Sequence, residues 1–123
     1  MIILDTCILI DGLTGNRSSA NAIRAALAAG ERILVPSLVL YEWLRGPRQR
    51  AEVAAQEALF PAGSVVPFGP EEATLSAKLY RAVSRPRKRE IDLAIAACAI
   101  IRDASLWTLN AADFRDVPRL RLY

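Results

Sequence analysis

Three short segments of the sequence are almost entirely apolar, and they constrain the fold more than any other feature. They are residues 2–4, 33–35 and 106–109. A strand that is apolar on both faces has to be covered on both sides, which is typical of parallel strands in α/β proteins. Residues 65–66 and 120–122 are weaker strand candidates.

Between these segments the apolar residues follow a helical period. The pattern predicts helices over residues 18–29, 37–44, 48–59, 70–84 and 89–103. Gly30 follows the first of them and Pro70 begins the fourth, as is common at helix ends. This alternation predicts a three-layer α/β/α domain with a mostly parallel central sheet. A chain of 123 residues fits one such domain over residues 1–123.

The composition excludes several classes of enzyme. The sequence contains no histidine, so Ser-His-Asp and Cys-His catalysis, histidine acid–base chemistry and histidine zinc sites are impossible. The two cysteines, Cys7 and Cys98, are too few for a Cys₄ zinc site or a disulfide framework, and are most simply interpreted as small buried side chains. Carboxylates, arginines, hydroxyls, backbone amides and a bound metal remain.

Charge and hydropathy give weaker indications. Sixteen basic and thirteen acidic residues give a net charge of +3, which does not by itself predict a nucleic-acid partner. The first residues lack the basic and long apolar regions of a signal peptide. No run reaches the roughly 18 apolar residues that span a bilayer. We therefore expect a cytoplasmic protein with reduced thiols and no membrane partner.

Four acidic residues are misplaced for a solvated surface, since each lies at the end of an apolar strand or inside an apolar helix. They are Asp5, Glu42, Asp92 and Asp113. Ligands collect at the carboxyl ends of parallel strands, so these side chains are expected to meet at one edge of the sheet. Each bare pair 4 Å apart would repel by about 4 kcal/mol at an effective dielectric constant of 20. Oxygen-only ligation favours Mg²⁺ or Mn²⁺.

Each of the four also has a purely structural interpretation. Asp5 can hydrogen-bond the backbone of the following turn, and Glu42 can pair with Arg45 one helical turn away. Asp92 can interact with a helix dipole, and Asp113 can cap a short helical turn. The coincidence of all four at one edge favours the metal site.

The same residues stand in motifs that resemble a known family. The opening Leu4-Asp5-Thr6, the segment from Pro36-Ser37 to Glu42, the helix around Asp92 and the turn Asn110-Ala111-Ala112-Asp113-Phe114 are similar, in order and spacing, to the four acidic motifs of PIN-domain ribonucleases. The resemblance covers the whole chain. A PIN domain of this length resembles the VapC-type toxins of VapBC toxin–antitoxin pairs.

This resemblance implies a function. It implies a metal-dependent endoribonuclease, usually a homodimer, that hydrolyses RNA phosphodiesters and is neutralised by a VapB-type antitoxin. Asp5, Glu42, Asp92 and Asp113 match the catalytic positions, and the first, third and fourth of them would hold Mg²⁺ or Mn²⁺. Thr6 and Asn110 match polar residues that orient carboxylates or waters. Residues 85–89 depart from the family, which often has a glycine-containing loop there.

Basic residues border the predicted site. Arg85, Arg87, Lys88 and Arg89 precede the Asp92 helix, and we expect them to contact the RNA backbone. A solvated loop or a docking site for an acidic partner is the alternative. Arg45, Arg48 and Arg50 form a second basic patch near Glu42. The aromatic residues Tyr41, Trp43 and Trp107 are expected to pack in the core or against a partner.

Three other functions remain open. A catalytically inactive PIN-like domain would bind RNA or protein without cutting it. A receiver-type phosphotransfer domain would need a further acidic pair beside Asp5, which is absent, and a late lysine, whereas Lys88 lies in a basic loop. A non-enzymatic antitoxin-binding scaffold is the third.

Overall fold

A five-stranded, fully parallel sheet forms the centre of the protein, in a computed structural model that describes all 123 residues. The strands lie in the order β3-β2-β1-β4-β5. Their bounds are Ile2–Leu4 (β1), Ile33–Pro36 (β2), Val65–Val66 (β3), Ser105–Trp107 (β4) and Arg121–Leu122 (β5). The five predicted strands are confirmed, and the predicted parallel arrangement holds for every pair.

Six α-helices connect and flank the strands. They are α1 (Thr6–Leu13), α2 (Ala20–Ala28), α3 (Ser37–Arg45), α4 (Arg50–Leu59), α5 (Pro70–Ala82) and α6 (Glu90–Ile101), with 3₁₀ turns at Ala62–Ser64 and Ala111–Phe114. Five helices were predicted from the apolar period. Helix α1 was not, because it has only eight residues and carries apolar side chains on its less buried face as well. No helix has both the length and the apolar character needed to cross a membrane.

Helix α6 is the innermost helix. Seven consecutive residues, Leu93 to Ala99, are buried, so this helix is apolar all round, as expected of one enclosed on every side. It packs against α5, α3, β1 and β4. Because four of the seven residues are alanines, the backbone of α6 can approach its neighbours closely. The first turn of α6 therefore has a fixed position relative to the central strands.

Strand β1 lies at the middle of the sheet, between β2 and β4. Its three residues are at most 2% exposed. Immediately after β1, the backbone N–H of Asp5 donates to the Trp107 carbonyl at 2.9 Å. The carboxyl ends of β1 and β4 are thus joined side by side, and the residues that follow both strands face the same edge of the sheet.

Candidate functional site

Asp5 is held rigidly at the carboxyl end of β1. It caps α1, with Oδ1 accepting from the Thr6 backbone N–H at 2.8 Å. The Thr108 hydroxyl donates to Oδ2 at 2.6 Å. The residue is 5% exposed. The helix-capping interpretation of Asp5 is therefore confirmed, but an ionised carboxylate has about four acceptor positions and these contacts leave some of them free.

Glu42 is connected to Asp5 through Thr6. The Thr6 hydroxyl donates to Glu42 Oε1 at 2.6 Å, while its backbone N–H caps Asp5. On the outer side, Arg45 Nη2 lies 3.4 Å from Glu42 Oε2, so the predicted pair exists, at an exposed arginine where such pairs contribute little. The structure places Thr6 where it orients two carboxylates.

Asp92 lies in the first turn of α6 and is half-buried. Burial, followed by the negative charges of Asp5, Glu42 and Asp113, raises the pKa of the Asp92 carboxyl from 3.8 to about 6. Arg89 opposes this increase. The four predicted carboxylates are therefore within electrostatic reach of one another, and we call them the carboxylate cluster.

Asp113 joins the cluster from the turn after β4. It is exposed, within the 3₁₀ turn Ala111–Phe114, and the adjacent Phe114 anchors that turn in the core at 2% exposure. Asp113 and Asp92 line one cavity of about 570 Å³. The other residues around it are Ser84, Arg85, Lys88, Arg89, Ala112 and Asp116. Asn110 begins the turn, with its backbone N–H donating to Thr108 Oγ1 at 3.0 Å.

The carboxylate cluster offers oxygen donors to a metal ion without forming a closed cage. No three carboxylate or thiol side chains are arranged to hold an ion by direct contacts alone. The donors are all oxygens, and Mg²⁺ commonly keeps several waters while binding through one or two carboxylates. Burial and the negative charges of Asp5, Glu42 and Asp113 together raise the pKa of Asp92, and only Arg89 opposes them. The residues therefore fit a hydrated hard cation and do not fit a closed protein cage.

The role of Thr108 was not predicted from the sequence. Its hydroxyl donates to Asp5 and accepts from the Asn110 backbone, so it connects β1 to the turn that carries Asp113. The available signal was a single hydroxyl in an otherwise apolar strand segment. Cys7 also differs from expectation: it is half-buried, and its Sγ lies 3.4 Å from Asp5 Oδ2 and accepts from Leu109 N–H at 3.3 Å. Burial raises the pKa of the Cys7 thiol.

The basic residues of the loop 85–89 differ in exposure and pairing. Arg85, Arg87 and Lys88 are exposed, whereas Arg89 is partly buried and forms an ion pair with Asp116 at 2.6 Å. In the second basic patch, Arg48 covers the ring of the fully buried Trp43 at 4.4 Å.

The other two aromatic residues differ in their surroundings. Tyr41 is 57% exposed, with Arg45 over its ring at 5.3 Å. Trp107 packs against Tyr123 with ring centroids 4.9 Å apart. Trp43 therefore lies in the core, as predicted, whereas Tyr41 does not, and a partner contact for Tyr41 stays a prediction.

Comparison with known proteins identifies the class. The PIN domain profile matches residues 2–120, and the chain belongs to the PIN-domain family. Among curated proteins it is similar to Ribonuclease VapC19 of Mycobacterium tuberculosis, in both the H37Rv and CDC 1551 strains. The identity is 33% over 123 residues, covering 98% of each chain.

Solved structures agree on the fold. DNA-bound VapBC from Salmonella typhimurium superposes with a TM-score of 0.80 at 21% identity, covering 99% of this chain and 96% of that one. VapBC-1 from nontypeable Haemophilus influenzae gives 0.77 at 21% identity, covering 100% and 97%. VapBC2 from Rickettsia felis, bound to a fragment of its promoter, gives 0.76 at 22%, covering 100% and 98%. The predicted PIN-like α/β/α fold is confirmed.

Proposed function

We propose that this protein is a VapC-type toxin, a metal-dependent endoribonuclease that hydrolyses RNA phosphodiesters. One observation carries the proposal: carboxylates from four distant segments meet at one edge of the sheet, where burial and the charges of Asp5, Glu42 and Asp113 raise the pKa of Asp92 to about 6. This occurs in a PIN domain that is 33% identical to a ribonuclease over 98% of the chain. Nucleases that use divalent cations need such a concentration of negative oxygen donors.

Residues of the cluster have distinct roles in this proposal. Asp5, Asp92 and Asp113 would hold Mg²⁺ or Mn²⁺. The ion, when bound, supplies polarisation of the phosphoryl group and a lower pKa for bound water. Glu42, half-buried and bonded by Thr6, would accept a proton from water or add a ligand. Thr6, which donates to both Asp5 and Glu42, would keep these carboxylates oriented, and Asn110 would orient waters. Water would attack the phosphorus and the bond from phosphorus to the 3′-oxygen would break. The products would be a 5′-phosphate and, once the 3′-oxygen takes up a proton, a 3′-hydroxyl.

RNA has to be attracted to a site that is itself acidic. The exposed side chains of Arg85, Arg87 and Lys88 lie on the loop before α6, next to Asp92. We propose that they contact phosphates of the RNA backbone, since basic residues that track the backbone supply most of the affinity for nucleic acid.

A protein partner is part of the proposed function. The three structural neighbours above are VapBC complexes, and we propose a VapB-type antitoxin for this chain and a homodimer as its assembled form. Large apolar side chains remain exposed, among them Tyr41 at 57%, Leu109 at 55% and Leu44 at 50%. Surfaces of this kind are common at protein interfaces.

One observation favours a second candidate. Because no preformed metal cage exists, an inactive PIN-like domain that binds RNA or protein is the alternative. A cleavage assay on single-stranded RNA, with Mg²⁺ or with EDTA, distinguishes the two. The proposal expects products with 5′-phosphate ends only when the metal is present. Absence of cleavage with both Mg²⁺ and Mn²⁺ would contradict it.

Asp5→Asn provides the matched test of the cluster. Asn can still accept from the Thr6 N–H, and removal of one negative charge relieves repulsion. We expect cleavage to be abolished while the melting temperature without metal stays equal or rises. Asp11→Asn on the same helix is the control, because the Asp11 carboxylate bonds Ser19 and lies outside the cluster. A large loss of stability in Asp5→Asn would make Asp5 purely structural.

A further inference from the structure

Arg89 makes three hydrogen bonds that reach across the site. Its Nη1 donates to Asp116 Oδ2 at 2.8 Å, and its Nη2 donates to Asp116 Oδ1 at 2.6 Å and to the Asp113 backbone carbonyl at 2.8 Å. The arginine side chain is only 19% exposed. A bidentate guanidinium–carboxylate pair is directional and stronger than a neutral hydrogen bond. Arg89 thus differs from the exposed basic residues before it.

The pair joins the two segments that carry half of the carboxylate cluster. Arg89 is three residues before Asp92, at the start of α6, and Asp116 is three residues after Asp113. All four residues line the same cavity. We infer that Arg89 and Asp116 are a positioning pair that holds Asp113 opposite Asp92, and that Arg89 does not contact RNA. This inference rests on the proposed ribonuclease function and assigns Arg89 a role different from the one expected from sequence.

The turn that carries Asp113 needs such support. It is a single 3₁₀ turn, a structure with weak hydrogen-bond geometry. Its own backbone bonds, Asp113 N to Asn110 O at 2.9 Å and Val117 N to Phe114 O at 3.1 Å, are local and do not connect it to α6. Asp92 and Asp113 repel each other. The Arg89 guanidinium interacts electrostatically with both carboxylates and offsets part of this repulsion, while its bond to the Asp113 carbonyl ties the turn to the start of α6.

The loop before α6 is shaped to turn Arg89 inward. The Arg89 backbone N–H donates to the Pro86 carbonyl at 3.0 Å, and Lys88 has a φ of +66°. This left-handed conformation is uncommon for a residue with a long side chain. Arg85, Arg87 and Lys88 remain exposed and form no ion pair. The loop thus separates one inward arginine from three outward cations.

Steady-state kinetics on a short RNA test the two roles. We expect Arg89→Gln to lower kcat about 10- to 100-fold, the usual effect of removing a group that orients a ligand, with KM within about twofold. Asp116→Asn should have a smaller effect, because the bond from Arg89 to Asp113 survives. The double variant should be no worse than Arg89→Gln, since partners in one unit are not additive. Arg87→Gln, by contrast, should mainly raise KM. If Arg89→Gln acted in the same way as Arg87→Gln, the inference would be wrong.

The conservative variant Arg89→Lys keeps the positive charge but changes the hydrogen-bond geometry, so its kcat distinguishes the two roles. A lysine preserves a phosphate contact but cannot reproduce the planar fork to Asp116 and Asp113. We expect Arg89→Lys to recover less than a tenth of the wild-type kcat. Recovery of more than half of it would identify a charge contact with RNA and overturn the positioning role. Arg24→Gln, an exposed change on α2, controls for the loss of one positive charge.

Measurements of RNA affinity test the same inference without cleavage. In an Asp5→Asn background, Arg89→Gln should leave the Kd for a labelled oligonucleotide and its salt dependence unchanged. Arg87→Gln should weaken binding and reduce the slope of log K against log salt by about one. A reduced slope in Arg89→Gln would assign it to the RNA-binding surface and contradict the inference.

Hydrogen exchange distinguishes failure of the inference from failure of the proposed function, because it needs no RNA. We expect amides of residues 110–117 to exchange about tenfold faster in Arg89→Gln, while those of α2 stay at the wild-type rate. Unchanged exchange in residues 110–117 would overturn the positioning role whatever the protein cleaves. A wild-type protein that never cleaves RNA, but shows the faster exchange in the variant, would refute the nuclease and leave the pair intact.

Discussion

Glu72 and Asp92 occupy the same position on neighbouring helices and have opposite environments. Each is the third residue of its helix, α5 for Glu72 and α6 for Asp92. At this position an acidic side chain interacts favourably with the helix dipole. Glu72 is 6% exposed, and Asp92 is half-buried. Helix position alone therefore does not decide which carboxylate belongs to a functional site.

The charge of Glu72 is neutralised by the protein itself. Burial alone would raise its pKa, but its own backbone N–H, the Gly69 N–H at 2.9 Å and the Arg102 guanidinium at 3.0 Å hold the pKa below its usual value. Asp92 faces three other carboxylates, and its pKa rises to about 6. The comparison indicates that a site is marked by charge that the fold leaves uncompensated.

The largest expected effect is on catalysis. Asp92→Asn should reduce RNA cleavage by roughly 100- to 1000-fold, the cost of removing one group that stabilises developing charge at a reaction centre. The fold should remain at least as stable, since the substitution removes repulsion. Single-turnover cleavage with Mg²⁺ and thermal melting in EDTA measure the two quantities. Cleavage within tenfold of wild type would contradict a functional role for Asp92.

The next effect is on stability and has the opposite pattern. Glu72→Gln should destabilise the protein by about 2 kcal/mol, because it leaves Arg102 partly buried without its partner. Cleavage per folded molecule should remain near wild type. Urea unfolding gives the free energy, and Glu71→Gln, an exposed change one residue earlier, should stay within about 0.5 kcal/mol of wild type. Equal effects from the two glutamates would contradict a structural role for Glu72.

The smallest effect is a pH dependence. The Asp92 pKa is about 6 in the folded protein against 3.8 for the ordinary group. As the pH falls through 6, the folded state binds a proton before the unfolded chain does, so stability rises as this unfavourable charge is lost. We expect wild type without metal to gain about 0.5 kcal/mol relative to Asp92→Asn between pH 7.5 and 5.5, after allowance for solvent screening.

Glu72 does not contribute to the change in stability between pH 7.5 and 5.5. The pKa of Glu72 is lowered, so its stabilising charge persists throughout this range and is lost only at more acidic pH. The measurement is urea unfolding in EDTA at both pH values. A difference between wild type and Asp92→Asn that does not change with pH would show that Asp92 is not under repulsion in the folded protein.

The fold and the carboxylate cluster were predictable because both depend on local patterns. The buried strand before Asp5 and the isolated acid in the apolar helix around Asp92 are visible in the sequence. Helix α1 was missed because the face opposite its buried residues Ile8, Leu9, Gly12 and Leu13 also carries the apolar Cys7 and Ile10, so the sequence shows no helical period.

The pairings between segments were not predictable. Arg89 and Asp116 are 27 residues apart, and the sequence gives no reason to prefer this partner over the other acids. Glu72 and Arg102 meet only because α5 packs along α6. Tertiary packing decides which charged side chains obtain a partner. Glu72 obtains one in Arg102, whereas Asp92 lies among other carboxylates.

The position of β1 in the sheet determines when the sheet can assemble as the chain is translated. Ile2 is paired with Ser105, and Leu4 with Trp107, so β1 can complete its pairing only after β4, a strand far later in the sequence, has been synthesised. Asp113 follows later still. A nascent chain therefore has no assembled carboxylate cluster until β4 and the turn after it have been synthesised.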